Sequence, residues 1–187
     1  LTFAIWNDNY KIVKTLLNHP KMSINAKLYF KKYKDNDSVF ILEQSAFMEA
    51  IQPPNLDIIK LFLSHPDIDV NMTYKCYYLK DRAIRKTDII EITSPLYKAI
   101  INGYIYNLYF SKIDLNIRHY DGQSAEKYYD DSLLTFSIRE KQNEIVELLL
   151  KHQKIDVNSK CIINTNKNTL FEEKTALYLA VEQENEN

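Results

Sequence analysis

A short phrase recurs along this chain and constrains its architecture more than any other feature. "HPDIDVN" at 65–71 returns as "HPKMSIN" at 19–25, "SKIDLN" at 111–116 and "HQKIDVN" at 152–158. Similarity to itself at intervals of a few tens of residues is typical of repeat proteins. Two further positions recur along with the phrase. One holds a small residue, and the other, five positions before that small residue, holds a hydroxyl residue. The small residues are Ala4, Ala50, Ala99, Ser137 and Ala180, and the hydroxyl residues are Ser45, Ser94, Ser132 and Thr175.

Each repeated unit predicts two short helices. "SAFMEAI" at 45–51 places a hydroxyl N-cap before apolar residues at helical spacing. "LDIIKLFLSHP" at 56–66 is apolar on most of its surface and ends at Pro66, which cannot continue a helix. Because so short a helix is stable only when neighbours cover its apolar surface, we expect the units to stack on one another.

Three stretches resemble the ankyrin-repeat family: "SPLYKAI" at 94–100, "NEIVELLLKHQKIDVN" at 143–158 and "TALYLAV" at 175–181. The resemblance implies an all-α repeat fold, an ankyrin-type solenoid of helix-turn-helix units with extended β-hairpin loops. It implies one domain over residues 1–187. Its units would span about 1–44, 45–93, 94–131, 132–174 and, in part, 175–187. Since the sequence lacks an initiator Met, we expect a fragment of a longer protein.

The units are longer than those of the family. The recurring small residues lie 38 to 49 positions apart, whereas an ankyrin repeat has about 33 residues. The surplus falls where the hairpin belongs, and "NAKLYFKKY" at 25–33 alternates apolar and polar residues as a strand does. We predict that it pairs with 38–44, and that 71–80 pairs with 88–94. The third unit is shorter, which predicts a truncated second helix near 104–111, a turn at Asp121-Gly122 and a fourth unit beginning at Ser132.

Composition excludes several classes of function. Two glycines in 187 residues rule out a glycine-rich phosphate loop, and the sequence contains no nucleophile elbow or metal-ligand cluster. We therefore expect no enzymatic activity, no cofactor and no small-molecule substrate. No apolar run approaches the roughly 20 residues that span a bilayer, so we expect no membrane insertion. Cys76 and Cys161 are widely separated, which indicates reduced thiols in an intracellular, cytoplasmic protein.

The recurring histidines and aspartates have structural interpretations. His19, His65 and His152 share one repeat position, but packed helices lie about 10 Å apart and zinc ligands lie about 2 Å from their ion. The histidines therefore cannot share one metal, and we expect them near helix C-termini, where positive charge is favoured. The recurring aspartates are expected to bond their own backbone in turns. They are Asp69, Asp114 and Asp156.

The first two hairpins combine aromatic and basic residues, which points to recognition of a partner. Tyr and Arg are enriched at protein interfaces, so we predict a protein–protein interaction module or scaffold with an unidentified protein partner. The predicted contacts are Tyr29, Tyr33, Tyr77, Tyr78 and Arg82 on the hairpins, or Met48, Tyr97 and Tyr178 on the first helices. Two alternatives stay open: a structural spacer within a longer repeat array, and nucleic-acid binding through the basic and aromatic hairpins.

Overall fold

A computed structural model describes residues 1–33, 38–52, 55–80, 89–101, 113–122, 128–164 and 171–185. The helices in these ranges are α1 (Thr2–Trp6), α2 (Tyr10–Leu17), α3 (Ala46–Ile51), α4 (Leu56–Ser64), α5 (Pro95–Ile101), α6 (Leu133–Arg139), α7 (Asn143–Leu150) and α8 (Ala176–Asn185). The strands are β1 (Lys27–Tyr33), β2 (Ser38–Ser45), β3 (Tyr74–Lys80), β4 (Ile89–Thr93), β5 (Arg118–Asp121), β6 (Tyr128–Ser132), β7 (Lys160–Asn164) and β8 (Phe171–Thr175). The predicted helix near 104–111 lies outside the described residues.

The expectation of an all-α ankyrin-type solenoid is wrong. The eight strands form one antiparallel sheet in which neighbouring strands follow chain order. The residues in excess of an ankyrin repeat form hairpins, and neighbouring hairpins also pair with each other. Strand β2 pairs with β3 as well as β1, and β6 pairs with β7 as well as β5. An isolated hairpin would leave unpaired backbone groups along both edges, and pairing with the next hairpin satisfies them. The strands within 25–33, 38–44, 71–80 and 88–94 lie where the alternation predicted them.

Hydroxyl side chains begin the first helices, as predicted. Ser45 Oγ accepts a hydrogen bond of 3.2 Å from the Met48 N–H, and the same bond recurs three times. The recurring pairs are Ser94 with Tyr97, Ser132 with Thr135, and Thr175 with Tyr178. Such a bond satisfies one of the N–H groups that have no partner at a helix N-terminus. Ser132 thus starts the fourth unit, whereas Asp121 ends strand β5 instead of lying in the predicted turn.

The chain divides into two compact units. Unit 1 comprises residues 1–89 and 94–113, and unit 2 comprises 90–93 and 114–187. In unit 1 the apolar faces of α1 to α4 meet in one core, which Ala99 of α5 also joins. That core contains Ile5, Val13, Leu17, Ile24, Phe47, Ile51, Ile58, Ile59, Phe62, Ile68 and Val70. Helices of five to nine residues are too short to persist alone, so this shared burial holds them.

A buried ion pair accompanies the core of unit 2. Asp131 is fully buried and accepts hydrogen bonds from Arg139 Nε at 3.2 Å and Nη2 at 2.8 Å. Thr135 Oγ1 donates to the other carboxylate oxygen, and the Arg139 guanidinium lies 4.1 Å from the Tyr129 ring centroid. A buried carboxylate needs such partners, so this cluster ties β6 to α6. Burial and the neighbouring Asp131 also raise the pKa of the Cys161 thiol.

The recurring phrase forms a turn after α2, α4 and α7, and a similar turn at 114–117. Nδ1 of the histidines accepts from the N–H two residues later: Lys21 at 3.2 Å, Asp67 at 3.2 Å and Lys154 at 3.4 Å. The aspartates bond their own backbone, as predicted, with Asp69 accepting from Asn71, Asp114 from Asn116 and Asp156 from Asn158. Within the described ranges, no group of three or more His, Cys, Asp or Glu side chains could hold a metal ion.

The asparagine that ends the phrase bridges one turn to the next. Asn25 Nδ2 donates to the Asp67 carbonyl at 2.7 Å, and its Oδ1 accepts from the Asp69 N–H at 3.0 Å. In unit 2 the same two bonds run from Asn116 to Lys154 and Asp156, at 2.8 Å each. An amide can donate and accept at the same time, so each bridge fixes the register between two successive turns. This bridge gives the Asn at positions 25 and 116 a structural role.

Leu149 tests the packing of α7. Its side chain is 1% exposed, so we expect Leu149→Ala to lower the free energy of unfolding by about 2–5 kcal/mol through lost burial and a residual cavity. The matched control is Leu148→Ala on the same helix, where the side chain is 38% exposed and the cost should be below about 1 kcal/mol. Urea denaturation of both variants measures the difference. Equal costs would mean that the buried face of α7 is misassigned.

Asn25 tests the bridge between turns. Asn25→Ala removes two hydrogen bonds and leaves the Asp67 carbonyl and the Asp69 N–H without this partner, which should cost about 1–2 kcal/mol of unfolding free energy. The matched control is Asn158→Ala, because Asn158 occupies the same repeat position and the structure describes no hydrogen bond from its side chain. We expect a change within about 0.5 kcal/mol for the control. Thermal and urea unfolding of the two variants would disprove the bridge if their losses were alike.

Candidate functional site

The first three strands present a polar and aromatic face in unit 1. Their register places Tyr29 opposite Glu43 and Glu43 opposite Lys75, and on the next row it places Lys31 opposite Ile41 and Ile41 opposite Tyr77. Directly paired residues share a face, and alternate residues of a strand return to that face. We define the β1–β3 face as these side chains together with one lysine: Lys27, Tyr29, Lys31, Ile41, Glu43, Lys75 and Tyr77.

Glu43 is the centre of this face. The residue is 7% exposed, and its carboxylate accepts hydrogen bonds from Lys27 Nζ at 2.5 Å and from the Tyr77 hydroxyl at 2.9 Å. A buried carboxylate without such donors would be costly. Glu43 therefore holds side chains of both β1 and β3 from the middle strand, and it fixes the Tyr77 ring. Tyr29, in contrast, is 64% exposed.

The ionisation of this cluster follows from its geometry. Burial alone would raise the pKa of the Glu43 carboxyl, but hydrogen bonds from Lys27 and Tyr77 outweigh it and leave that pKa below its usual value. The hydrogen bond to Glu43 and its charge raise the pKa of Lys27. Burial and the hydrogen bond to Glu43 raise the pKa of Tyr77 to about 12. At neutral pH the cluster is therefore a carboxylate between an ammonium group and a neutral phenol.

The other residues predicted to bind a partner are dispersed. Tyr78 lies on the opposite side of the sheet, with its ring 5.3 Å from that of Phe40. Met48 and Tyr97 are buried, at 1% and 0% exposure, so neither offers a contact surface. Tyr178 is 55% exposed on α8, with Lys174 Nζ 5.3 Å from its ring. Tyr33 belongs to β1 by its backbone, and Arg82 lies outside the described residues. Of the predicted set, the structure brings together Tyr29 and Tyr77.

An apolar groove in unit 2 was not predicted. It has a volume of about 460 Å³ and lies between α6, α7 and α8. Its apolar lining includes Val146, Leu150, Val157, Leu177 and Ala180, and its polar lining includes Lys141 and Glu184. The repeat alignment could have indicated that these positions are apolar packing positions. Leu150 and Val157 align with Leu17 and Ile24, which are buried in unit 1.

Comparison with known proteins leaves the resemblance untested. No protein-family model matches this sequence, and no curated protein matches it either. The likeness to the ankyrin family thus rests on the three quoted stretches alone. Across the described ranges, no helix has both the length and the apolar character needed to cross a membrane, and α8, the longest, has ten residues.

The tyrosine that Glu43 holds on the β1–β3 face can be titrated. At pH 11 an ordinary tyrosine with a pKa of about 10 is roughly nine-tenths ionised, whereas Tyr77, with a pKa of about 12, should be mostly neutral. The absorbance difference at 295 nm between the native chain and Tyr77→Phe should therefore be small at pH 11. In a Glu43→Gln background it should grow, because the acceptor's charge is gone. Circular dichroism at pH 11 confirms that each variant is folded.

The sign of the effect on stability follows from the same shift. The folded-state pKa of Tyr77 lies above the unfolded value, so the folded chain keeps this proton longer. Its contribution is therefore fully present below pH 10 and is lost as the pH rises towards about 12. A full tyrosinate signal from Tyr77 at pH 11 in the folded chain would show that Glu43 does not hold its hydroxyl.

Proposed function

We propose that this chain is a non-enzymatic protein–protein interaction module that binds its partner through the β1–β3 face. The observation that carries the proposal is Tyr77, whose hydroxyl Glu43 holds on the same face of the sheet as the exposed Tyr29. Tyrosine is enriched among the residues that dominate binding energy. A ring that is already fixed loses little conformational entropy when a partner packs on it, which favours this pair as the anchor.

The charges around the two rings favour an acidic partner surface. Lys27, Lys31 and Lys75 lie on the β1–β3 face together with one acid, Glu43, whose charge Lys27 already compensates. The side chain of Lys27 is 51% exposed, so its charge is accessible at the edge of the face. Cations at the rim of an interface mainly raise the association rate and exclude partners of like charge. We therefore favour carboxylates around the partner's contact region.

The chemistry of the face favours binding over catalysis. A general acid or base works best with a pKa near the operating pH. Here the pKa of Tyr77 is raised to about 12 and that of Glu43 is lowered, so both move away from neutrality. The two groups also bond each other. These features support recognition without chemistry, with no requirement for a cofactor.

A partner is the direct test. Proteins captured on the immobilised chain should be identified, produced separately and titrated against the purified chain. Tyr29→Ala together with Tyr77→Ala should weaken that binding by about 30-fold, which corresponds to the roughly 2 kcal/mol lost at a typical anchor. The matched control is Tyr10→Ala, which removes a tyrosine that is 40% exposed on α2, outside the β1–β3 face. It should bind as the native chain does.

The outcomes separate the alternatives. Equal weakening by Tyr10→Ala and by the double variant, with unchanged melting curves, would argue against a localised site on this face. A captured nucleic acid whose affinity falls steeply with salt would favour binding through phosphate contacts instead. Retention of the protein partner by the double variant would move its site away from the β1–β3 face. If no partner binds specifically, the structural spacer becomes the better interpretation.

A further inference from the structure

A polar cleft lies between the C-terminal ends of α2 and α4 in unit 1. Its volume is about 520 Å³, and its walls come from the last turns of the two helices and from the turns that follow them. Small-molecule sites have volumes of roughly 300–1,000 Å³ and combine an apolar surface with a few polar groups. We call this site the α2–α4 cleft. Its polar lining includes Lys14, Asn18, His19, Ser64, His65 and Asp67.

The hydrogen bonds of the two histidines determine what each ring can offer a ligand. Nδ1 of His19 accepts from the Lys21 N–H, and Nδ1 of His65 accepts from the Asp67 N–H, each at 3.2 Å. An imidazole that accepts at one nitrogen carries its hydrogen on the other, so Nε2–H is a donor in both rings. Across the described ranges, neither Nε2 has a hydrogen-bond partner. The cleft thus offers a ligand two imidazole donors.

Helix α2 adds two further donors. Lys14 and Asn18 lie one turn apart on the same side of the helix, and both are exposed. In the part of the chain that the structure describes, the Lys14 ammonium forms no ion pair and the Asn18 amide forms no hydrogen bond. The lysine of α4 at the same repeat position, Lys60, instead lies 3.9 Å from the Asp57 carboxylate. The cation that lines the cleft is therefore available to a ligand.

Several acceptors at this end of the two helices are already occupied. The carbonyls of Leu16 and Phe62 accept N–H groups of the following turns at 3.1 and 3.0 Å, and the carbonyl of Leu61 accepts from the Ser64 hydroxyl at 2.8 Å. Unsatisfied carbonyls at a helix C-terminus would repel an anion, and these bonds reduce that effect. Asp67 is the one acid among the lining residues. A ligand of the cleft is therefore one that accepts hydrogen bonds.

We propose that the α2–α4 cleft binds the phosphate group of a small organic molecule. A phosphate monoester has roughly two negative charges and three acceptor oxygens, which match four donor side chains and outweigh the single charge of Asp67. A carboxylate has one charge and two oxygens, so it satisfies fewer of these donors. The apolar part of the lining, which includes Leu17, Met22 and Leu61, can cover the organic part of the molecule.

This site goes beyond the function proposed for the β1–β3 face. The two sites share no residue, since the lining of the cleft comes from α2, α4 and their following turns, whereas the face belongs to the strands β1 to β3. Each site therefore has variants that do not alter the other.

Histidine ring signals in the NMR spectrum report on the cleft directly. Of the four histidines, His19 and His65 line the cleft, whereas His119 and His152 belong to unit 2. Phenyl phosphate, added to the full chain at constant ionic strength, should shift the signals of His19 and His65 along saturable curves and leave the other two unchanged. Inorganic phosphate should saturate the same signals at higher concentration, because it has no ring to pack on the apolar lining. Acetate should bind more weakly than either.

Charge substitutions with opposite expected effects identify the ligand class. Lys14→Ala should weaken phenyl phosphate binding by about fivefold, since it removes an exposed ion pair. Asp67→Asn should strengthen binding by about two- to threefold, because the repelling charge is lost while the backbone groups that bond Asn25 and His65 remain. The matched control is Lys60→Ala, which should bind as the native chain does. Circular dichroism confirms that each variant is folded.

Several results would overturn the proposal. One is the absence of saturable shifts at His19 and His65, and another is an equal shift at His152, which would show unspecific binding. Weaker binding by Asp67→Asn would mean that the cleft prefers a cation, and equal losses in Lys14→Ala and Lys60→Ala would mean general electrostatic attraction.

The comparison of ligands and sites completes the test. Acetate binding as tight as that of phenyl phosphate would remove the preference for phosphate, and inorganic phosphate binding as tight would assign the cleft to the free ion. Tyr29→Ala together with Tyr77→Ala should leave phenyl phosphate binding unchanged, so failure of the β1–β3 face and failure of the cleft are distinguishable.

Discussion

The asparagine bridges set the register on which the rest of each unit depends. The Asn25 side chain forms hydrogen bonds with both the carbonyl of Asp67 and the N–H of Asp69. These bonds fix the position of the turn after α4 relative to the turn after α2. With the turns fixed, the apolar residues of α2 and α4 meet in one core. The hairpins leave from the same turns, so β1 and β3 reach β2 in matching register. The two hydrogen bonds of Asn25 thus position both the helices and the first strands of unit 1.

The helices were predictable from the sequence because their determinants are local. The caps at Ser45 and Ser132 need only a hydroxyl side chain and an N–H three residues away. The sheet was not predictable as a whole, because alternation shows that 25–33 is a strand but not which strands lie beside one another. The pairing of Phe40 with Tyr78 joins two hairpins that are distant in sequence. Its formation depends on where the helices place those hairpins.

The same limit explains the misplaced contact residues. Met48, Tyr97 and Tyr178 occupy one position of the repeat, and the sequence gives no reason to treat them differently. In the structure the first two are buried and Tyr178 is 55% exposed. The difference lies in their neighbours, because α3 packs between α1 and α5 whereas α8 packs on α6. The exposure of a side chain at a repeat position therefore depends on which helices lie next to it. In the same way, the contacts of Glu43 depend on β1 and β3 lying on either side of β2.

The two candidate surfaces illustrate opposite ways in which a fold can expose apolar or aromatic groups. On the β1–β3 face, a buried carboxylate holds the Tyr77 hydroxyl, while Tyr29 on the same face is exposed. In the groove of unit 2, the exposed side chains of Leu150 and Leu177 align with those of Leu17 and Phe47, which are buried in unit 1. Lys141 adds a left-handed backbone that a lysine adopts only at some cost. Asp8 meets the same requirement with a shorter side chain that also accepts a hydrogen bond from Asn55. The same backbone conformation is thus occupied by a hydrogen-bond acceptor in unit 1 and by a cation in unit 2.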